Sequence, residues 1–335
     1  MNVVAVFPQL LGPGGVQRFG RSLVDALVPV VGSEFRILSL LDPPHTITGR
    51  NVEGFTGSRF RLARAVAKGC DLLVCGHPNL APLAYLARAR TTWVHAHGID
   101  VWRPLGRLRG AALRGATLVT GSSSDTVAKV RLVQGRHGPT EVLHPCVELP
   151  SEIDPGPGSY HLTVARLNVE DRDKGIDRLI EAAKMREGLP LHVVGDGSDR
   201  ARLESIAAGD ARVRFLGRLS DADLAVQFRH CRSFLLPSTK EGFGIVFAEA
   251  MAWGRPVVGV AAGGAPDVVA DGLNGFLLPS AEVALLADAM NRMESNLDVY
   301  TFLRVEARRT ATEAFSQSAF SAKVASFVSS LRSTS

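Results

Sequence analysis

The stretch STKEGFGIVFAEAMAWGRPVV, residues 238–258, gathers two carboxylates, three glycines and a helical pattern in one short segment. Read as a loop, then a helix opening near Gly244, then a strand, it makes an anion site. Gly242 and Gly244 let the backbone bend tightly around Phe243 and approach a ligand, while the unbonded N–H groups of the first helical turn point at whatever sits in front of them. A phosphate suits that position. The helix is predicted to run from about Gly244 to Trp253, to end at Gly254 and to be followed by Pro256, which cannot continue it. Glu241 then lies in the loop facing the ligand, with Glu249 about two turns inside. Two acids beside an anion-binding helix are unfavourable unless they meet a neutral part of the same ligand, and sugar hydroxyls are such a part.

Other segments offer chemistry of the same kind. Gly12-Pro13-Gly14-Gly15 links a Val-rich run to a helical pattern, the opening of a nucleotide-type α/β domain, although it is not a G-x-G-x-x-G fingerprint. His97-Gly98-Ile99-Asp100 follows a predicted strand at its carboxyl end, where open α/β sheets place ligands. His97 is the better placed histidine to donate to a sugar hydroxyl or to the anomeric region. His95 lies in the strand and reads as core, His77 is a weaker candidate, and Asp100 is either an acceptor-hydroxyl ligand or a helix cap. Gly195-Asp196-Gly197-Ser198 is a fragment of a dinucleotide fingerprint that lacks its third glycine. Two Asp-x-Asp matches, Asp171-Arg172-Asp173 and Asp221-Ala222-Asp223, are rejected as metal sites, the first being embedded in a basic loop and the second opening a helix after Ser220. No metal is expected.

Glutamates eight apart are common in helical proteins; the flanks carry the specificity. With Pro-Ser-x-x-Glu-Gly-Phe-Gly before and Ala-x-x-x-Gly-x-Pro-Val-Val after, E-G-F-G-I-V-F-A-E resembles the Glu-x7-Glu signature of retaining glycosyltransferases of family 4. The resemblance covers nearly the whole chain and is specific from about His161 to Leu278. It implies the GT-B fold, an α/β architecture of two Rossmann-like domains facing each other across a cleft, with a C-terminal helix crossing back. It implies that Glu241 touches hydroxyls of the transferred sugar and Glu249 the ribose of a nucleotide diphosphate sugar, the donor substrate, with no other cofactor. An Arg and a Lys-Gly of the family match Arg166 and Lys174 on the diphosphate, but the longer spacing here leaves Arg172 a competitor to Arg166. By the same resemblance Gly14 and Gly15 face the donor phosphates and the acceptor, with Gln17 and Arg18 in reach. His97 matches a family histidine, Gly195 lies near the phosphates, and Gly217-Arg218-Leu219 binds the base through its backbone.

The implied reaction moves a sugar, mannosyl or glucosyl, to a hydroxyl of a glycan or polyprenyl-diphosphate-linked acceptor with retention. No carboxylate presents itself as a nucleophile, so front-face displacement is favoured. A nucleotide-sugar epimerase of the same architecture and a non-catalytic nucleotide-sugar-binding protein are the alternatives.

The elements that position these residues alternate along the chain. Strands are predicted at Asn2–Val6, Arg36–Leu41, Asp71–Cys75, Thr92–His95, Thr117–Thr120 and Glu141–Leu143, with a first helix over Val16–Val28 stopped by Pro29. Residues 150–158, with three prolines and two glycines, read as a linker. The alternation restarts with strands at His161–Ala165, Leu191–Val194 and Val213–Leu216 and a helix at Ile176–Met185. A last helix over Ser316–Leu331 carries Phe320, Val324, Phe327 and Leu331 on one stripe, which either braces back on the first domain or packs within the second. The division expected is 1–150, 151–312 and the helical segment 313–335.

Composition bounds the function. At 335 residues and 46% hydrophobic content the chain can bury two cores, and 21% charge marks it as globular. No apolar run reaches the ~18 residues of a membrane span, and the N-terminus lacks the positive region of a signal peptide, so a cytoplasmic protein is expected, peripheral at most on the inner face of a membrane. Cys70, Cys75, Cys146 and Cys231 lack metal-ligand spacing. Residues 1–150 hold 17 Lys and Arg against nine Asp and Glu, leaving 21 against 24 in the rest, so the front half is the basic one. Its cations cluster at Arg59, Arg61, Arg64 and Lys68 and at Arg103, Arg107, Arg109 and Arg114, interleaved with apolar residues at helical spacing. Such helices suit an anionic membrane surface, an anionic acceptor or plain solvation. With 6% aromatics and no recognition motif, nucleic acid is not expected as a partner.

Overall fold

Short Val- and Leu-rich runs become the strands of two parallel sheets. The computed structural model describes residues 1–32, 34–47, 49–153 and 156–333. It divides into unit 1, Met1–Cys146 with Gln317–Ser335, and unit 2, Val147–Ser316.

In unit 1 the strands are β1 (Val3–Phe7), β2 (Phe35–Ser39), β3 (His45–Ile47), β4 (Arg50–Gly54), β5 (Leu72–Cys75), β6 (Thr91–Ala96), β7 (Leu118–Gly121) and β8 (Thr140–Val142). They lie in the order β3-β4-β2-β1-β5-β6-β7-β8, parallel except for β3 against β4. β1 is buried along its whole length because its side chains alternate between two cores. Val3, Ala5 and Phe7 enter one, Val4 and Val6 the other, which is why a central parallel strand reads as an unbroken apolar run. The first core is covered by α1 (Gly15–Val31), through Phe19, Leu23, Val24 and Leu27. The other is covered by α2 (Arg59–Val66), α3 (Ala84–Ala87), α4 (Arg107–Gly115) and α5 (Ser124–Leu132). Ser123 caps α5, accepting from the Thr126 amide at 3.2 Å.

Two expectations are corrected in unit 1. The first helix does not stop at Pro29 but runs to Val31. In the last turn Pro29 removes only its own N–H, and the terminal carbonyl of Val30 accepts from Arg332 at 2.6 Å. β3 and β4 also went unread, because Arg50, Asn51 and Glu53 break the apolar signal; Arg36 of β2 pairs with Glu53 at 2.8 Å.

The C-terminal helix, Gln317–Ser333, packs on α1 in unit 1. Phe320 meets Phe19 edge-on with centroids 5.6 Å apart, Phe327 meets Trp93 at 5.7 Å, and Val324 and Leu331 are buried between. Each such side chain contributes about 1.5–3 kcal/mol. Of the two placements open from the sequence, the stripe takes the one on the first sheet.

Unit 2 contains β9 (His161–Val164), α6 (Ile176–Lys184), β10 (Leu191–Val194), α7 (Arg200–Ala207), β11 (Val213–Gly217), α8 (Asp221–His230), β12 (Ser233–Leu236), α9 (Ile245–Ala252), β13 (Val257–Val260), β14 (Gly275–Leu278), α10 (Val283–Ser295) and α11 (Leu297–Ala314). The sheet is parallel in the order β11-β10-β9-β12-β13-β14, so the winding reverses between β9 and β12. Such a switch point opens a crevice at the carboxyl ends of the strands. Of the expected linker, Asp154 and Pro155 lie outside the described residues. The Pro150 and Gly156 carbonyls accept from Arg308 at 2.8 Å and from Arg255 at 2.9 Å, which ties the segment to unit 2.

Candidate active site

The switch point of unit 2 is where the two best sequence candidates meet. Lys174 comes from the loop after β9 and Glu241 from the loop after β12. Lys174 Nζ donates to Glu241 Oε2 at 2.6 Å, with side chains only 16% and 15% exposed. The two loops interlock through the Thr239 amide, which donates to the Asp173 carbonyl at 2.9 Å, and through Gly175. At φ 68° Gly175 sits where a Cβ would come 2.8 Å from the Pro237 carbonyl oxygen. Gly244, at φ 87°, is the N-cap of α9, so the loop turns straight into the helix; Phe243 is buried, its ring edge-on to Phe315. α9 spans Ile245–Ala252, with Trp253 as its C-cap and Gly254 at φ 65° beyond. Glu249, half-buried, is the fifth helical residue, so it stands just over one turn inside rather than two.

A third loop fixes Glu241 from the other side. The Gly264 amide donates to the Glu241 carbonyl at 2.8 Å. A Cβ on Gly263 would lie 2.3 Å from that same carbonyl oxygen, and one on Gly264 would lie 2.4 Å from the Gly242 oxygen. The glycine pair after β13 is therefore the surface on which the Glu241 loop lies. Its role escapes a sequence reading because the partner is 22 residues away in the chain.

The competition between the two arginines has a geometric basis. Arg172 is held by Asp199, with its Nη2 2.7 Å from Oδ1, and Arg202 binds the same carboxylate at 2.6 Å. Hydrogen bonds from Arg202 first and Arg172 second keep Asp199 well below the usual carboxylate range. Arg166 pairs with Asp171 at 2.7 Å but is 70% exposed. With Asn168, Asp196, Gly197 and Arg218 it lines an open cavity of ≈ 380 Å³ over the carboxyl ends of β9, β10 and β11. Gly195, at φ 134°, is required there by packing, since its Cβ would fall 1.8 Å from the Ala165 oxygen. Its amide donates to the Gly217 carbonyl at 2.8 Å, joining the ends of β10 and β11; Leu219 packs against the core below. The acids of the two Asp-x-Asp matches are engaged otherwise. Asp171 accepts from Arg166 and Asn168, Asp173 lies 3.9 Å from Lys240, and Asp221 and Asp223 form the first turn of α8 behind the Ser220 cap.

Unit 1 has a corresponding switch point between β1 and β5. Gly14, at φ 128°, is the N-cap of α1 and Gly15 its first residue, with Gln17 and Arg18 in the opening turn. Asp42, which no local motif singles out, holds this loop. Its buried Oδ2 accepts from the Leu10 amide at 2.6 Å, the Leu11 amide at 3.2 Å and the Ser39 hydroxyl at 2.7 Å.

At the carboxyl ends of β5 and β6 three histidines cluster. His95 is core, fully buried, stacked on Phe19 at 3.8 Å and bonded to Thr120 and Ser122. His77 Nε2 lies 3.8 Å from Asp100, whose carboxylate caps the turn by accepting from the His97 and Gly98 amides. His97 Nε2 is 2.8 Å from the Gly76 carbonyl. A carbonyl only accepts, so Nε2 carries the proton. Burial lowers the pKa of His97 despite Asp100, keeping it neutral. In that tautomer Nδ1 carries the lone pair and has acceptor character.

Residues 155–310 match the family model described as glycosyl transferases group 1. The matched residues lie within unit 2. Curated relatives agree over part of the chain. The D-inositol 3-phosphate glycosyltransferases of Mycobacterium bovis (strain BCG / Pasteur 1173P2) and Mycobacterium tuberculosis (strain H37Rv) are each 35% identical over 171 residues, 46% of this chain. The matched region spans 35% of those relatives' length. The fold extends further. The Anabaena protein Alr3699/HepE, solved in complex with UDP and glucose, superposes with a TM-score of 0.80 at 21% identity over 98% of this chain and all of that one. Sucrose-phosphate synthase from Thermosynechococcus elongatus gives 0.79 at 20% identity over the whole of both. The architecture is thus GT-B, with two Rossmann-like sheets and a C-terminal helix. The group 1 match takes in Arg166, Lys174, Glu241 and Glu249, while the glycine loop and His97 lie outside it.

Proposed function

We propose that the protein is a retaining glycosyltransferase that moves a hexosyl group, glucosyl or mannosyl, from a nucleotide diphosphate sugar to a hydroxyl of a glycan or polyprenyl-diphosphate-linked acceptor. The Lys174–Glu241 pair at the switch point of unit 2 carries this reading. It sets a cation and a hydroxyl-reading carboxylate side by side, as a diphosphate joined to a sugar requires. Matches to proteins solved with UDP support such a donor.

In this reading the diphosphate takes Lys174, Arg166 and the first amides of α9, the sugar hydroxyls take Glu241, the ribose takes Glu249, and the base lies along Gly217-Arg218-Leu219. Arg166 is preferred to Arg172, whose guanidinium is engaged by Asp199. The C1–O bond to the diphosphate breaks as the acceptor oxygen bonds to C1 on the same face, and the acceptor's proton passes to the departing phosphate oxygen. Charge builds on that oxygen, and fixed cations and amides stabilise it without reorganising; each donor is worth about 2.7–4 kcal/mol, or 10²–10³ in kcat. Gly14, Gly15 and His97 of unit 1 serve the acceptor side, and the basic helices of that unit suit a lipid-linked acceptor presented at an anionic membrane. No metal has a part in this scheme.

Incubation with a panel of labelled UDP-, GDP- and ADP-sugars, with and without a polyprenyl-diphosphate-linked glycan and with excess EDTA, tests the reading. Transfer of label with retained anomeric configuration, unaffected by chelation and abolished by Glu241→Ala, is expected. A changed nucleotide sugar formed without acceptor identifies an epimerase, and binding without turnover a non-catalytic protein; either result overturns the proposal.

A further inference from the structure

Three segments of unit 1, residues 59–70, 78–90 and 101–115, contain ten Lys and Arg and no Asp or Glu. They build α2, α3 and α4, and their inner faces enter one core through Leu62, Ala65, Val66, Ala87, Ala112 and Leu113. The three helices therefore form one layer on the same side of the sheet, and their other faces look outward. Among the described residues none of the ten cations is paired with a carboxylate. Arg109 instead donates to Asn79 at 2.8 Å, tying α4 to the turn that precedes α3.

Large apolar side chains stand among these cations. Phe60 is 79% exposed, Leu108 61%, Tyr85 56% and Leu86 45%. At 100° per residue Phe60 occupies the outward pole of α2, opposite Leu62, Ala65 and Val66, with Arg61 and Arg64 to one side of it. Leu108 follows Arg107 in the first turn of α4. A face that served only solvation would have no use for an outward Phe60 and Leu108. A soluble polyanion would use the arginines and leave Phe60 and Leu108 in water. A bilayer surface uses both, because apolar side chains enter the acyl boundary while the guanidinium groups remain at the phosphates.

We propose that unit 1 docks on an anionic phospholipid bilayer through the outer faces of α2, α3 and α4, with Phe60 and Leu108 inserted and Arg61, Arg64 and Arg107 at the headgroups. This surface deepens the reading of a lipid-linked acceptor, and its chemistry is separate from the donor chemistry of unit 2.

Flotation of the full chain with vesicles of phosphatidylcholine, alone or mixed with phosphatidylglycerol, tests it. Binding is expected only to the mixed vesicles and to fall as salt is raised. Arg61→Gln with Arg64→Gln should lower partitioning about 25-fold at low salt, near fivefold per charge. Phe60→Ser with Leu108→Ser should lower it at least about tenfold with every charge kept. UDP titration of each variant shows whether unit 2 is intact. Equal binding to both vesicle types, or none to either, overturns the proposal. So does a Phe60→Ser, Leu108→Ser variant that binds fully while the arginine variant does not, a result that assigns the layer to a soluble polyanion, which competing duplex DNA would displace. Vesicle binding in a protein that binds no nucleoside diphosphate sustains this surface and removes the glycosyltransferase reading instead.

Discussion

Glu241→Gln should tighten the binding of a bare nucleoside diphosphate while slowing transfer. Lys174 donates to the Glu241 carboxylate at 2.6 Å, and both side chains are mostly buried, so solvent screens the pair little. A hydrogen bond between charged groups of this kind is worth about 1.5–3 kcal/mol, against about 0.5–1.5 kcal/mol for the neutral amide acceptor that glutamine provides. A diphosphate must take the ammonium from this partner. UDP, having no sugar, offers Glu241 nothing in exchange and leaves a carboxylate beside two phosphates. The difference of about 1–1.5 kcal/mol predicts a gain in affinity of about fivefold to twelvefold for UDP or whichever of GDP and ADP binds. Transfer should fall about 10²- to 10³-fold, because the sugar's hydroxyls lose their acceptor where the barrier is crossed. Calorimetric titration of wild type, Glu241→Gln and Lys174→Met with the three diphosphates gives the affinities, and labelled transfer the rate. If Glu241→Gln binds UDP no better than wild type while Lys174→Met binds it equally well, the ammonium is not the phosphate ligand and the site is misassigned.

Gly264→Ala would drive a Cβ to 2.4 Å from the Gly242 oxygen and 2.7 Å from the Phe243 Cα, both backbone atoms that cannot swing aside. A loss of about 1–3 kcal/mol in urea unfolding is expected, with kcat down at least tenfold, whereas Gly115→Ala, with nothing within 4 Å, should leave both unchanged. Burial lowers the pKa of His77, His95 and His97 in unit 1 and of His161 and His192 in unit 2 below the usual 6.5. The unfolded chain therefore binds protons that the folded one does not. Stability is full above pH 6.5 and falls as pH drops below it, a slope that urea midpoints across pH 5–7.5 measure and that His95→Gln should flatten. Phe320→Ala opens a cavity between the C-terminal helix and Phe19 and should cost about 3–5 kcal/mol, followed by the fluorescence of Trp93 in the same core.

Much of this fold is legible wherever the signal is local. The pattern that predicts a helix between Gly244 and Gly254 depends on glycines whose φ angles of 87° and 65° no other residue adopts easily, and the helix forms between them. β1 and β10 read as strands because continuous apolar runs suit parallel strands covered on both faces. β4 does not read as one, since Arg50, Asn51 and Glu53 interrupt its apolar run, and Pro29 misleads because a helix can continue past a proline at the cost of the hydrogen bond its missing N–H would make one turn back. In the site the residues that touch partners distant in sequence escape notice. Asp42 reaches back 32 residues to Leu10, and Asp199 reaches 27 to Arg172. The proton position on His97 is set by the Gly76 carbonyl, 21 residues earlier, and no property of the tripeptide around the histidine foretells it.

The helix Gln317–Ser333 closes a sheet whose strands end before residue 143. Synthesis runs in one direction, so all of unit 2 leaves the ribosome before the covering for Phe19 and Trp93 exists. The early-made portion must wait with an oily stripe uncovered while the later-made one already has every strand it needs. Chaperone demand should therefore concentrate on nascent chains stalled between residues 147 and 316, and a stop codon in that interval should yield an aggregate rather than a soluble fragment.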